Sequence, residues 1–181
     1  MTRGRFIAVV GPSGVGKDSV TAGLQAMMPN VHLVRRVITR APELGGEDFD
    51  AVDDQTFEEM ASSGSFVLHW NAHGLRYGIP ATVAAHLERG RDCLANLSRG
   101  VLLDAAERFL DFAVLHITAT PDTLSRRLSA RGRETAEDIA LRLSRAQMPL
   151  PAGLDVIHVS NDGPLAETVG RAAALLQPAS V

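Results

Sequence analysis

Gly11-Pro12-Ser13-Gly14-Val15-Gly16-Lys17-Asp18-Ser19 constrains this chain more than any other stretch. Before it, Phe6–Val10 is an unbroken apolar run, the pattern of a strand buried on both faces. After it, Val20, Leu24, Met27 and Met28 recur at helical spacing. The glycines therefore sit where a central strand turns into a helix, which is the context a phosphate-binding P-loop requires. Glycine lets consecutive backbone N–H groups point into one concavity, because no Cβ blocks the turn. The helix N-terminus is aimed at the same place, and Lys17 adds a charge that can follow the β- and γ-phosphates of a bound nucleotide. The bland alternative is a glycine-rich turn without a ligand; the strand before and the helix after weigh against it. The residue after the lysine departs from the pattern. A Ser or Thr hydroxyl is expected there to ligate Mg²⁺, and Asp18 stands in its place. A carboxylate is a hard oxygen ligand that can serve Mg²⁺ directly or through water. The competing role for Asp18 is a cap on the helix start.

The chain has 181 residues, enough for one domain with a sizeable core. Its 45 % hydrophobic content argues against disorder, and a net charge of −3 gives no global pull towards nucleic acid or a membrane surface. No stretch reaches transmembrane length. Arg3 and Arg5 lead straight into the first strand without a signal-peptide apolar region, and the single cysteine, Cys93, allows no disulfide framework. The cytoplasm is the expected compartment. Arginine far outnumbers lysine; it is the side chain for bidentate phosphate contact, although codon preference explains a high count equally well. Homodimerisation stays open, since the sequence does not set the oligomeric state.

Strand and helix signals alternate along the chain. Strands are expected over Val31–Val37, Ser65–Trp70, Asp92–Leu97, Phe112–Ile117 and Val156–Val159. Helices are expected around Thr56–Ala61, over Ala81–Arg89 with Pro80 at the start, over Val101–Phe109, after Thr120-Pro121-Asp122, after Thr135, and from Leu165. Thr135 and Asp138 match a capping box. This order means an α/β fold with a mostly parallel sheet, whose ligands sit at the carboxyl ends of the strands. The segment from about 35 to 90 breaks the alternation and reads as an inserted substrate subdomain, with the core at 1–34 and 91–181. Arg126, Arg127, Arg131, Arg133 and Arg142 surround a helix–Gly132–helix joint, about 123–148. A hinged lid bearing arginines suits phosphoryl transfer, which needs positive charge and exclusion of water. Pairing with Glu134, Glu137 and Asp138 on a solvated face is the alternative for some of them.

These motifs together resemble the guanylate kinases. The P-loop is similar to theirs; Thr39-Arg40-Ala41-Pro42 resembles their substrate-phosphate motif, Phe66 to Gly78 their segment ending in Tyr-Gly, Arg126 to Ser144 their lid, and Ser160-Asn161-Asp162 their adenine-side loop. The resemblance covers nearly the whole chain. It implies a nucleoside-monophosphate-kinase-like three-layer fold with a helical lid, ATP and Mg²⁺ as cofactors, Lys17, Arg131 and Arg142 as catalytic residues, and Arg127 and Asn161 beside the nucleotide.

The departures bear on the acceptor. The acid by which guanylate kinases read guanine, two places after Phe66, is Leu68 here. Their later Asp-x-Asp falls on Asn96-Leu97-Ser98, and a second arginine after Ala-Pro is Glu43. A leucine cannot accept the base's N–H groups, and donors left unpaired in a buried site cost about 1–3 kcal/mol each. Gly-Lys-Asp-Ser, Leu68 to Gly78 and Asn96-Leu97-Ser98-Arg99 instead resemble the ribose 1,5-bisphosphate phosphokinases of bacterial phosphonate breakdown. That resemblance implies phosphorylation of the sugar's 1-phosphate to give 5-phosphoribosyl 1-diphosphate. Arg40, His69, Arg76, Tyr77, Asn96, Ser98 and Arg99 are then the substrate-side candidates, with structural roles equally open for Asn96 and Ser98. Competing readings are a guanylate kinase with unusual base recognition, a non-catalytic binding module of the same fold, and a small-molecule kinase acting on a hydroxyl.

Overall fold

Five short apolar strands build the sheet that carries the P-loop. The computed structural model describes residues 3–42 and 47–177. β1 (Phe6–Val10) is followed by α1 (Lys17–Met27), β2 (Val31–Leu33), β3 (Val37–Ile38), β4 (Asp50–Ala51), α2 (Asp54–Ser62), β5 (Phe66–Ala72), β6 (Leu75–Pro80) and α3 (Val83–Glu88). The chain continues through β7 (Asp92–Asn96), a 3₁₀ turn at Arg99–Val101, α4 (Leu102–Arg108), β8 (Phe112–Thr118), α5 (Pro121–Ala130), α6 (Ala136–Ala146), β9 (Val156–Ser160) and α7 (Leu165–Leu176). The first sheet has the order β2-β7-β1-β8-β9, and every pair in it is parallel. All five residues of β1 are buried, as expected of a central strand covered on both sides.

Successive β1 residues point to opposite faces and enter two different cores. Phe6, Ala8 and Val10 pack with Val83, Leu87, Leu102 and Phe109 from α3, α4 and its C-terminal end. Ile7 and Val9 pack with Val20 and Leu24 of α1, Leu124 of α5 and Val169, Ala172 and Leu176 of α7. Helices thus cover both faces, giving the three layers of a doubly wound α/β fold. The carboxyl ends of β1, β2, β7, β8 and β9 share one edge, and the strand order reverses at β1, where the P-loop begins.

A second sheet, of order β4-β3-β6-β5, lies within the segment read as an insertion. β5 and β6 form an antiparallel hairpin, closed by His73 (φ 53°) and Gly74 (φ 73°), the paired positive-φ residues of a tight hairpin turn. Leu68 and Ile79 from this hairpin are buried in the same cluster as Phe6.

Two sequence expectations are corrected. Val31–Val37 is not one strand. The Val34 N–H still bonds the Leu94 carbonyl of the first sheet (2.8 Å), but the Arg36 carbonyl already accepts from Asp50 N (2.9 Å) in the second sheet. The apolar run continues because the chain passes from one buried sheet to another. Pro80 does not begin a helix; it ends β6 opposite Phe66, a place where its missing N–H is tolerated, and α3 begins only at Val83. Glu43 and the Leu44–Gly46 part of the polar loop lie outside the described residues. The helix caps match expectation: Thr120 Oγ1 accepts from Thr123 N (3.3 Å), and the Thr135–Asp138 capping box is formed.

Phe6 is fully buried and stacks on Phe109 with ring centroids 3.8 Å apart. Phe6→Ala is expected to lower unfolding free energy by about 3–5 kcal/mol in urea titration, with an unchanged slope against urea; a loss under about 1 kcal/mol would mean that this core collapses into the gap.

Candidate active site

The P-loop takes its shape from backbone that only glycine accepts readily. Gly14 and Gly16 have φ of 83° and 93°, and a Cβ on Gly11 would lie 2.6 Å from the Ile117 carbonyl oxygen. Behind the loop, the Val15 carbonyl accepts from Asn161 Nδ2 (2.8 Å) and Arg127 Nη1 (3.2 Å), and Arg127 Nη2 donates to the Asn161 carbonyl (2.7 Å). Arg127 and Asn161, expected beside the nucleotide, thus both fasten the loop's backbone.

Lys17 is the only lysine in the sequence. Its Nζ donates to the carbonyls of Gly11 (2.8 Å) and Pro12 (3.3 Å). Burial lowers its pKa to about 8; neighbouring Asp18 opposes this, the charges of Arg36 and Arg131 add to it, and Glu47 offsets part. Asp18 lies in the first turn of α1, where its Oδ1 accepts from Asn96 Nδ2 (3.2 Å). Gly16 holds the cap position, so capping is not the role of Asp18. Among the described residues no group of three or more His, Cys, Asp or Glu could hold a metal. A Mg²⁺ held mainly by phosphates and water needs only one or two protein oxygens, and the Asp18 carboxylate fits that requirement.

Arg142 reaches from α6 back to the P-loop. Its Nη1 donates to Ser13 Oγ (2.6 Å), and its Nε pairs with Glu134 (2.8 Å). Arg131 is exposed at the C-terminal end of α5, next to Gly132 with φ 63°. Ser19 is exposed on α1.

The substrate-side candidates divide between the two faces of the second sheet. Trp70 and Tyr77 are cross-strand partners stacked at 5.3 Å, and the Trp70 indole N–H donates to Ser98 Oγ (2.9 Å). Arg76 instead lies over the Phe57 ring of α2 (4.5 Å) and pairs with Glu58 (2.7 Å). His69 is exposed with its ring edge-on to Phe57. Both sit on the α2 side, away from Trp70 and Tyr77. Arg40 is exposed, its guanidinium 4.4 Å over the Phe49 ring. Arg99 caps the C-terminal end of α6, donating from Nη1 to the carbonyls of Arg145 (3.2 Å) and Met148 and from Nη2 to that of Ala146 (3.5 Å).

Two residues that sequence reasoning passed over, Arg36 and Glu47, lie beside Tyr77. Arg36 is buried, pairs side-on with Glu47 through Nε (2.6 Å) and Nη2, and lies 4.9 Å over the Tyr77 ring. The available signal was an arginine inside the apolar run from Val34 to Ile38.

The guanylate kinase family profile matches residues 3–174. This chain belongs to the guanylate kinase family. It is 50 % identical over 176 residues to the ribose 1,5-bisphosphate phosphokinase PhnN of Ruegeria sp., covering 97 % of this chain and 93 % of that protein. The enzyme of the same name from Agrobacterium fabrum is 44 % identical over 161 residues, 87 % of this chain and 88 % of that one. Among solved structures, guanylate kinase from Anaplasma phagocytophilum superposes with a TM-score of 0.69 at 21 % identity, over 97 % of this chain and 85 % of that one. That last likeness shows the fold alone.

Within this family member, Lys17 offers a direct test. Its folded pKa of about 8 lies below the ordinary 10.5, so folding expels a proton between those values. The resulting destabilisation is full below about pH 8 and is relieved as pH rises towards 10.5. An amine-acylating reagent, read by peptide mass mapping, is expected to modify Lys17 at a rate that climbs through about pH 8 and falls when MgATP is added. A rate that rises only near pH 10, like an ordinary lysine, would contradict the burial argument. For Arg99, replacement by Ala removes a cap from α6. We expect faster amide exchange over Ala136–Ala146 and a loss of about 1 kcal/mol in stability; exchange unchanged from the parent chain would deny Arg99 that role.

Proposed function

We propose that the chain transfers the γ-phosphoryl group of ATP to the 1-phosphate of ribose 1,5-bisphosphate, giving 5-phospho-α-D-ribose 1-diphosphate, a role suited to phosphonate breakdown in the cytoplasm. Relatives 42–50 % identical that carry the name ribose 1,5-bisphosphate phosphokinase support this reading. The single observation that carries it within the site is Leu68. It is buried, 3 % exposed, at the position where guanylate kinases place a guanine-reading acid. Ser98, at the second such position, is held by Trp70. The face beside Tyr77 offers an arginine and aromatic rings in place of carboxylates aimed at a base.

The chemistry asks little of the protein beyond position and charge. A phosphate monoester loses its second proton near pH 6, so the attacking oxygen is already anionic and no general base is required. The P-loop N–H groups and Lys17 hold the donor phosphates. Arg142, already on Ser13, and Arg131 bring positive charge from the lid side to the transferring group. Asp18, oriented by Asn96, would hold Mg²⁺, which when bound supplies neutralisation of the β- and γ-oxygens. Arg40 and Tyr77 stand on the acceptor side. Among the described residues no helix is long and apolar enough to cross a membrane.

The test is ADP release with MgATP, offering ribose 1,5-bisphosphate and GMP in parallel and weighing the product. A diphosphate from the sugar alone is expected, with kcat falling about 100-fold or more in Lys17→Ala. Turnover of GMP alone would overturn the proposal.

A further inference from the structure

Arg36 is a buried cation at the mouth of the site. The chain leaves β2 at Leu33 and enters β3 at Val37, so Arg36 lies just beyond the carboxyl end of a core strand, at the crossing between the two sheets. Its neighbours Val34, Val37 and Ile38 are 4 %, 3 % and 0 % exposed, and Arg36 itself is 8 % exposed. Burying a guanidinium–carboxylate pair is a poor route to stability, since apolar residues of similar volume often serve as well or better.

The geometry around Arg36 is that of a fixed anion receptor. Glu47 takes Nε and Nη2 side-on, which sets the plane of the guanidinium. The Tyr77 ring supports that plane from one face, and Tyr77 is itself held by Trp70 and, through it, Ser98. Among the described residues Glu47 leaves Nη1 without an acceptor. Because it lies over Tyr77, the guanidinium is on the face whose Trp70 bonds Ser98 just past the carboxyl end of β7, the opposite face from Arg76 and His69, which lie against Phe57.

We propose that Arg36 binds the acceptor's phosphate group across the cleft from Lys17, and that Glu47 and Tyr77 are the residues that position it. This rests on the phosphoryl-transfer reading above. It assigns the acceptor-phosphate contact nearest the P-loop to a residue on the inter-sheet crossing, and it explains why a base-free bisphosphate is held on a face that carries no base-reading acid. The fork geometry matters because a guanidinium can present two parallel donors to a phosphate, whereas an ammonium presents a point charge.

Steady-state kinetics with full-length protein decide this. Arg36→Met alone would leave the mostly buried Glu47 carboxylate unpaired, so the main variant is Arg36→Met combined with Glu47→Gln. We expect it to fold, to raise KM for ribose 1,5-bisphosphate by on the order of 30-fold, and to leave KM for ATP within about twofold. Arg36→Lys, which keeps the charge and the fold but loses the fork, is expected to fall between. Calorimetric binding of the sugar bisphosphate without ATP should weaken in the same order. Arg35→Met is the control; Arg35 is half exposed and pairs with Asp48 and Asp50, and its kinetics should match the parent chain. A parent-like KM in both Arg36 variants would overturn the proposal, as would equal losses for ATP and sugar. Should the parent chain phosphorylate GMP and not the sugar, the functional reading fails separately. The same KM comparison made on GMP, also a phosphate acceptor, would still decide whether Arg36 holds that phosphate.

Discussion

The backbone carbonyl of Val15 is the point on which the phosphate site depends. A loop that turns its N–H groups inward must turn carbonyls outward, and Val15 is fully buried. Left unpaired, such a carbonyl would cost about 1–3 kcal/mol. Asn161 Nδ2 and Arg127 Nη1 both satisfy it, and they come from the end of β9 and from α5. The concavity is therefore held open by elements from the other end of the chain. The same contact reaches Gly16, where a Cβ would stand 2.8 Å from Asn161 Nδ2. Glycine is required there by the fastening as well as by its φ.

A second dependence gathers at the carboxyl end of β7. Asn96 donates to Asp18 beside the P-loop, Ser98 accepts from Trp70 of the second sheet, and Arg99 caps the last turn of α6. Parallel strands put their carboxyl ends on one edge, so four consecutive residues can touch the first turn of α1, the second sheet and the end of α6 at once. A shift of the second sheet that moves Ser98 passes through one peptide link to Arg99 and from there, by hydrogen bonds, to the helix that presents Arg142. Nothing more than a packed turn is needed to relate the three parts.

Features written in adjacent residues were legible in the sequence. The P-loop, the Thr120 cap and the Thr135–Asp138 box depend on spacing within one turn, and all three appear where expected. The family and the core sheet followed from the same local patterns. The break between β2 and β3 was hidden because hydrophobicity reports burial and not which sheet buries. The bonds of Arg127 and Asn161 to Val15 join residues 112 and 146 positions apart; no local pattern carries that distance. The placement of His69 and Arg76 was nearer to hand. Alternation from buried Leu68 puts His69 on the opposite face of the strand, and direct pairing of Trp70 with Tyr77 puts Arg76 there as well.

Three cations of the cleft are of two kinds. Arg142 and Arg36 are each held by a carboxylate, Glu134 and Glu47. Such pairing makes a partly or wholly buried guanidinium tolerable and fixes its orientation before any anion arrives. A phosphate meeting either arginine finds donors already aimed, with little reorganisation left to perform. Lys17 is the other kind. It rests on two neutral carbonyls, and burial has already weakened its hold on a proton. An anionic phosphate beside it must raise that pKa again, because opposite charge favours the ammonium. Above about pH 8 nucleotide binding and proton uptake at Lys17 are therefore one linked equilibrium, and affinity for the triphosphate must weaken as pH rises.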